Sequence, residues 1–168
     1  MRTTLLSLFD AEIARTSAVL LALPGESLTW TPDPRSFTAG RLAMHVATLP
    51  GWMSALATRD GYDMGAGGPG PRQPDSLEEV LSAFADASAR GRQVLAHATD
   101  GDLAAPWTLS RNGFVISTLT RAEAVATFGI HHLIHHRGQL TVYLRLLGQP
   151  VPPIYGDSAD APLVPQTP

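Results

Sequence analysis

The sequence predicts an all-α fold, a single four-helix bundle. Four stretches of the chain carry apolar residues at the spacings of three and four that give a helix one apolar face. Each stretch is bounded by residues that cap or break helices, and only one short segment favours β-structure. The chain has 168 residues, which is enough for one domain with a sizeable core and short for two. We therefore expect the four helices to pack around one core.

A proline-rich loop separates the first two predicted helices. The first runs from about Thr3 to Leu23 and ends at the Pro24-Gly25 pair. The second begins at Thr38, whose side chain is suited to an N-cap, and runs to about Arg59.

The apolar stripe of the second helix has two unusual members. Pro50 lies within it and lacks an amide hydrogen, so we expect it to kink the helix. His45 shares the stripe with four apolar residues, Leu49, Trp52, Met53 and Leu56. An imidazole on an apolar face needs a partner to offset its lost hydration, which makes His45 a candidate functional residue.

The last two helices and the segments around them complete the predicted fold. Capping boxes mark the two starts, Ser76-x-x-Glu79 and Thr120-x-x-Glu123, and the fourth helix ends near Leu147. Residues 60–75 are dense in glycine and proline, so we expect irregular structure there.

An Asn112-Gly113 pair between β-favouring residues predicts one short hairpin over residues 107–118. We predict one domain over residues 1–160 and a flexible tail over residues 161–168.

Composition excludes several classes of protein. There is no cysteine, so disulfides, thiolate ligands and a cysteine nucleophile are absent. The net charge is −3 and the arginines are scattered, which is not the basic surface of a nucleic-acid-binding protein. No apolar run is long enough to span a membrane, and charges interrupt the first apolar segment where a signal peptide would need none. We therefore predict a cytoplasmic protein with no membrane or nucleic-acid partner.

Four of the six histidines are clustered in the fourth helix and form two pairs at i, i+4 spacing, His131/His135 and His132/His136. Residues four apart share a helix face, so either pair can reach one metal ion. His132 and His136 lie on the stripe of Phe128, Leu140, Tyr143 and Leu147, so we predict that they point inward. The other pair should lie toward solvent.

A third metal ligand has to come from another helix. His45 is the candidate, because it lies on the core stripe of the second helix, whereas His97 is placed to lie on the surface. Two histidines from one helix and one from another leave coordination positions open, as in reactive rather than structural sites. A core histidine that is only hydrogen-bonded is the competing interpretation.

Three segments of the chain resemble the DinB family. They are HLIHHRGQLTVYLR at 132–145, PVPPIYG at 150–156 and LAMHVATLPGW at 42–52. The resemblance implies a four-helix bundle of up-down-down-up topology, often dimeric, with a divalent metal held by three histidines. These map onto His45, His132 and His136. The metal is expected to be zinc or nickel, with iron as a third choice.

The resemblance also implies a function, since the family includes enzymes that use a low-molecular-weight thiol, such as bacillithiol or mycothiol. With no cysteine in the chain, the thiol would have to arrive as a cosubstrate and attack an electrophilic small molecule. Arg137 or Arg145 could bind a carboxylate on that thiol. Gln139 could orient a ligand or cap a buried carbonyl. The sequence indicates no catalytic residue.

Two other functions stay open from the sequence alone. A metal-dependent hydrolase would use metal-bound water and needs a general base, which the predicted metal stripes lack. A non-catalytic, metal-stabilised dimer that binds a ligand is the third hypothesis.

Overall fold

The computed structural model describes residues 1–68 and 70–163, and most of them are helical. The long helices are α1 (Arg2–Leu21), α2 (Ala39–Thr58), α3 (Leu77–His97) and α6 (His132–Leu146), and two short ones are α4 (Asp100–Ala104) and α5 (Arg121–Ala124). The strands are β1 (Gly61–Asp63), β2 (Pro106–Arg111) and β3 (Phe114–Thr120). Single 3-10 turns cover Gly25–Ser27 and Met64–Ala66.

The predicted helix starts are largely confirmed. The Thr38 hydroxyl accepts from the amide of Arg41, and Thr120 and Glu123 form a complete capping box before α5. Ser76 accepts from the amide of Glu79, but the Glu79 carboxylate bonds the amide of Asp75, so only half of that predicted box forms.

Helices α2 and α3 pack closely along their lengths. Pro50 lies inside α2, as predicted, and its carbonyl faces Gly91 of α3. A Cβ at Gly91 would lie 2.4 Å from that oxygen, so the crossing requires glycine. The helix that carries His45 is thereby held close to the rest of the core.

A π-helical segment, Val125–His131, joins α5 to α6. The sequence predicts one regular helix over this region, and the structure differs from that prediction by the wider turns of the π-helical segment. Gly129 of this segment lies against Met53 of α2, where a Cβ would come within 2.7 Å of the Met53 side chain. Segments of this kind are rare and frequently lie at functional sites. This one ends directly before His132.

The predicted all-α class is wrong. The three strands form one mixed sheet in the order β1-β2-β3, so the fold is α and β rather than a four-helix bundle. The predicted hairpin exists as β2 and β3, which are antiparallel, but β1 adds to it in parallel with Gly61 opposite Thr108. The pairing is between distant parts of the chain, and the glycine and proline around β1 conceal it.

Asp63 joins the end of β1 to the tip of the hairpin. Its carboxylate accepts hydrogen bonds from the amides of Gly65, Asn112 and Gly113 and from the hydroxyl of Ser110. Asn112 and Gly113 both have positive φ, 51° and 81°, as the predicted two-residue turn requires. The carboxylate therefore fixes the whole hairpin relative to β1.

The C-terminal end of the described chain runs back over α1 and α6. Arg145 pairs with Asp160, and Arg15 donates to the carbonyl of Ile154. The predicted flexible tail at 161–168 lies outside the described residues from 164 onward, and the domain limits stay a prediction. Over the described residues, no helix is long and apolar enough to cross a membrane.

Candidate metal centre

Two elements bring three histidines together. His45 lies in the first half of α2, and His132 and His136 lie in the first turns of α6, next to the π-helical segment. Helix α2 packs on both α6 and that segment, which turns His45 toward the pair.

The imidazoles meet through their Nε2 atoms. The Nε2 of His132 lies 3.3 Å from that of His45 and 2.9 Å from that of His136. One ring nitrogen from each residue lies within 4.8 Å of the other two. Bonds of about 2.0 to 2.1 Å to one ion require ligand nitrogens roughly 3 to 4 Å apart, so this arrangement is close to a coordination geometry.

The predicted difference between the two histidine pairs of α6 is confirmed, since His132 and His136 are half-buried while His131 and His135 are exposed. His132 and His136 are less buried than predicted, because Leu133, Arg137 and Leu144 occupy the most buried face of the helix. His97 is exposed as well and its ring bonds the Gln93 carbonyl of its own helix.

Partners outside the cluster orient two of the rings. The Nδ1 of His136 donates to the side-chain oxygen of Gln139 at 2.7 Å, and the backbone carbonyl of Phe128 accepts from the His132 ring. Gln139 thus orients His136, a candidate metal ligand, which is neither of the roles that the sequence left open for it. Such partners fix the tautomer of metal-binding histidines.

The donated protons leave Nε2 lone pairs directed into the cluster. Two lone pairs at 2.9 Å repel each other unless a cation or a proton lies between them. The three residues therefore fit a bound divalent ion on the chemistry of their donor atoms.

Burial keeps the rings neutral. Burial, and then the nearby rings of His136 and His132, lower the pKa of His45 from its ordinary value to about 4. Burial is also the main cause of the lowered pKa values of His132 and His136. Neutral imidazole is the form that binds metal, so all three are ready to do so at neutral pH.

Neither arginine proposed from the sequence to hold a ligand reaches the cluster. Arg137 is 2% exposed and pairs with Glu12 at 2.7 Å, and Arg145 pairs with Asp160. Arg137 follows His136 in the chain, but one residue turns the side chain by about 100° to another face of the helix.

Two cavities flank the histidines. One, of about 370 Å³, is bordered by polar groups that include His136, Gln139 and Ser36. The other, of about 410 Å³, is lined by His45 and His132 and otherwise has mainly apolar walls from α2, the sheet and the π-helical segment.

The sheet walls of the larger cavity were not predicted as part of the site. Trp107 and Leu109 alternate along β2, and this spacing of two could have indicated that they share a face. Tyr62 and Met64 carry no such signal, because β1 is recognisable only from its distant partner.

Comparisons with known proteins identify the family that the chain resembles over nearly its whole length. The model of the DinB family matches residues 1–163. YrdA of Bacillus subtilis (strain 168), an uncharacterized protein, is 28% identical over 90% of this chain and 86% of its own length.

Two crystal structures of DinB-like proteins are also similar. One from Bacillus cereus ATCC 10987 has a TM-score of 0.71 and 27% identity, covering 90% of this chain and 95% of the other. One from Bacillus subtilis has a TM-score of 0.68 at 18% identity, covering 90% and 96%, and supports the fold alone.

Proposed function

The chain belongs to the DinB family, and on that premise we propose that it is a metal-dependent enzyme. We propose further that it transfers a low-molecular-weight thiol to an electrophilic small molecule. The observation that carries the proposal is the cluster of three Nε2 atoms, whose rings border two cavities, His45 and His132 the larger one and His136 the smaller one. A site between two cavities has room for two reactants side by side.

The proposed ligands are His45, His132 and His136, and the proposed ion is zinc or nickel, with iron as a third choice. A divalent ion there would act as a Lewis acid, lowering the pKa of a thiol that binds in its open position. The chain supplies three neutral donors, so the ion would keep its full positive charge for that effect.

The smaller cavity is suited to the thiol cosubstrate. Gln139 and Ser36 offer hydrogen-bonding groups, and Arg35 at the border offers a positive charge beside its own partner Asp33. Natural small thiols carry amides, hydroxyls and carboxylates, which such groups recognise. Because Gln139 also holds His136, it links thiol binding to the orientation of a ligand.

The proposed reaction balances without any further reagent. The thiol gives its proton to solvent, and a sulfur lone pair forms the new S–C bond. The leaving group departs with the electron pair of the bond that breaks. The histidines orient the reacting sulfur, and the larger cavity shields the electrophile from water.

The two alternatives have less support. Over the described residues, the candidate ligand cluster contains no carboxylate, and no Asp or Glu lines either cavity, so a hydrolase would lack that kind of general base. A purely structural metal site would be closed, whereas these rings are half-buried and border open space. A cytoplasmic location and a homodimer remain part of the proposal, and light scattering would test the dimer.

Elemental analysis of the purified protein, followed by assays with that metal restored, tests the proposal. We expect a thioether product, detected by mass spectrometry, when a thiol and an electrophile are supplied together. His132→Ala should lose the product, whereas His131→Ala should retain it. Equal product formation by His132→Ala, or none with the metal-loaded protein across thiols and electrophiles, would reject thiol transfer.

A further inference from the structure

The larger cavity has a composition that points to the kind of molecule it binds. Its volume is about 410 Å³, and its walls come from α2, β1, β2 and the π-helical segment. Two aromatic pairs shape it. Trp52 and Tyr62 are nearly perpendicular with ring centroids 4.9 Å apart, and Trp107 and Phe128 lie 5.4 Å apart.

Apart from His45 and His132, the described lining of the cavity offers no charged partner to an ionic group. Of the residues that the structure describes, no Arg, Lys, Asp or Glu lines it. Thr48 is a polar residue of the lining, but its hydroxyl is directed to the Met44 and His45 carbonyls of its own helix. An ionic group moved from water into such surroundings would lose hydration without a partner, at a cost of several kcal/mol in order of magnitude.

The walls are held in place by contacts outside the cavity. Asp63 lies between Tyr62 and Met64, and its hydrogen bonds fix both to the hairpin. A Cβ at Gly61 would lie 2.3 Å from the Thr108 carbonyl oxygen, so β1 lies tightly against β2. The cavity is therefore formed before any ligand arrives, which favours recognition by shape.

We infer that this cavity binds the uncharged, aromatic or other apolar part of the electrophilic substrate, with the reacting bond beside His45 and His132. The inference rests on the proposed function for the chemistry beside those two histidines. An apolar cavity of about 150 Å³ accepts benzene, so the larger volume here has room for a group of two rings or more.

A pair of fluorescent probes tests the inference without any reaction. N-phenyl-1-naphthylamine is neutral, and 8-anilino-1-naphthalenesulfonate is the same ring system with one negative charge. Both are titrated into the full chain with a chelator present, so that no metal attracts the sulfonate. We expect one site for the neutral probe, with affinity at least tenfold above that of the sulfonate.

A matched pair of variants locates the probe site. Thr48→Arg places a charge at the cavity, and Thr58→Arg places the same charge on the same helix. Both positions are exposed, and each hydroxyl bonds the carbonyl four residues earlier, so each change removes one such bond. Thr48→Arg should lower the affinity for the neutral probe at least tenfold and raise the affinity for the sulfonate. Thr58→Arg should change neither affinity.

The outcomes separate this inference from the proposed function. Equal or tighter binding of the sulfonate to the unmodified protein would overturn the inference, and so would equal effects of the two variants, even if the histidines bind metal. The expected probe pattern in a protein that binds no metal would support the apolar cavity and reject the metal-dependent enzyme.

Discussion

Helix α6 contributes the neighbouring residues His136 and Arg137 to two different polar clusters, and the polar groups of the two clusters find their partners in different ways. His136 belongs to the histidine cluster, whose rings are half-buried, neutral and directed at one another's lone pairs. Arg137 belongs to a cluster with Glu12, Thr16 and Tyr155, in which each charge has an opposite charge and hydroxyl partners. The donor atoms of the first cluster are suited to a cation, whereas the charges of the second are paired with each other.

The two clusters differ in burial, and this difference distinguishes polar groups that can bind a ligand from polar groups that stabilise the fold. Glu12 and Arg137 are each 2% exposed, and Tyr155 from the C-terminal segment closes the pair with hydrogen bonds of 2.8 and 2.7 Å. That cluster joins α1, α6 and the segment after α6, so it should contribute to folding and not to binding. The histidine cluster should contribute to binding and little to folding.

The largest expected effect on stability comes from the closed cluster. Arg137→Met removes the fully buried charge partner of Glu12 and leaves its carboxylate only the partly exposed pair with Arg15, which should lower the free energy of unfolding by up to about 3–5 kcal/mol. Urea denaturation followed by circular dichroism measures the loss.

Arg145→Met is the matched control, because Arg145 lies on the same helix and its pair with Asp160 is exposed to solvent. Arg145→Met should lower the free energy of unfolding by much less than Arg137→Met does. Equal losses in the two variants would mean that the buried pair has no special role, and the comparison would fail.

The next largest effect is expected on metal affinity, with no change in the free energy of unfolding. Gln139→Ala removes the acceptor of the His136 Nδ1 proton and should weaken zinc binding about 10- to 100-fold. Gln139→Glu retains an acceptor and should retain the affinity, and Gln93→Ala on α3 is the control. Zinc affinity of Gln139→Ala equal to that of the unmodified protein would show that the amide does not position the ring.

A smaller effect is expected at the sheet and depends on pH. Hydrogen bonds, the largest from the amides of Gly113 and Gly65, lower the pKa of Asp63 to about 2, below its ordinary value. A lowered carboxyl pKa contributes stability above the unfolded value, near 3.8, and that contribution is lost as the pH falls from there through about 2.

Asp63→Asn should therefore destabilise the hairpin at neutral pH and flatten the pH dependence of stability between about 4 and 2. Hydrogen exchange at the amides of Asn112 and Gly113 should become faster. Asp86→Asn, at an exposed position of α3, is the control. Unchanged exchange at the hairpin tip would show that the carboxylate does not hold it.

The sequence predicted the features that depend on short-range spacing. The i, i+4 pair of His132 and His136 and the caps at Thr38 and Thr120 involve residues within one or two turns, so local pattern determines them. Strand β1 was not predicted, because its pairing with β2 joins residues that are distant in sequence and because its own three residues show no periodicity.

Arg137 was assigned the wrong role for a related reason. A charged residue in a helical segment is usually solvent-exposed or ligand-binding, and its partner Glu12 lies 125 positions earlier in the chain. Only the folded structure brings the two charges together. The same holds for the apolar cavity, since its walls come from elements that are separate in sequence.

Zinc titration of the metal-free protein tests the central claim most directly, that three histidines hold one divalent ion. Isothermal calorimetry should give one ion per chain. His45→Ala, His132→Ala and His136→Ala should each lower the affinity by about 100-fold or more, as expected for loss of one ligand of three. His131→Ala and His135→Ala should bind zinc like the unmodified protein. Absence of zinc binding, or equal affinity after replacement of all three inward histidines, would contradict the claim.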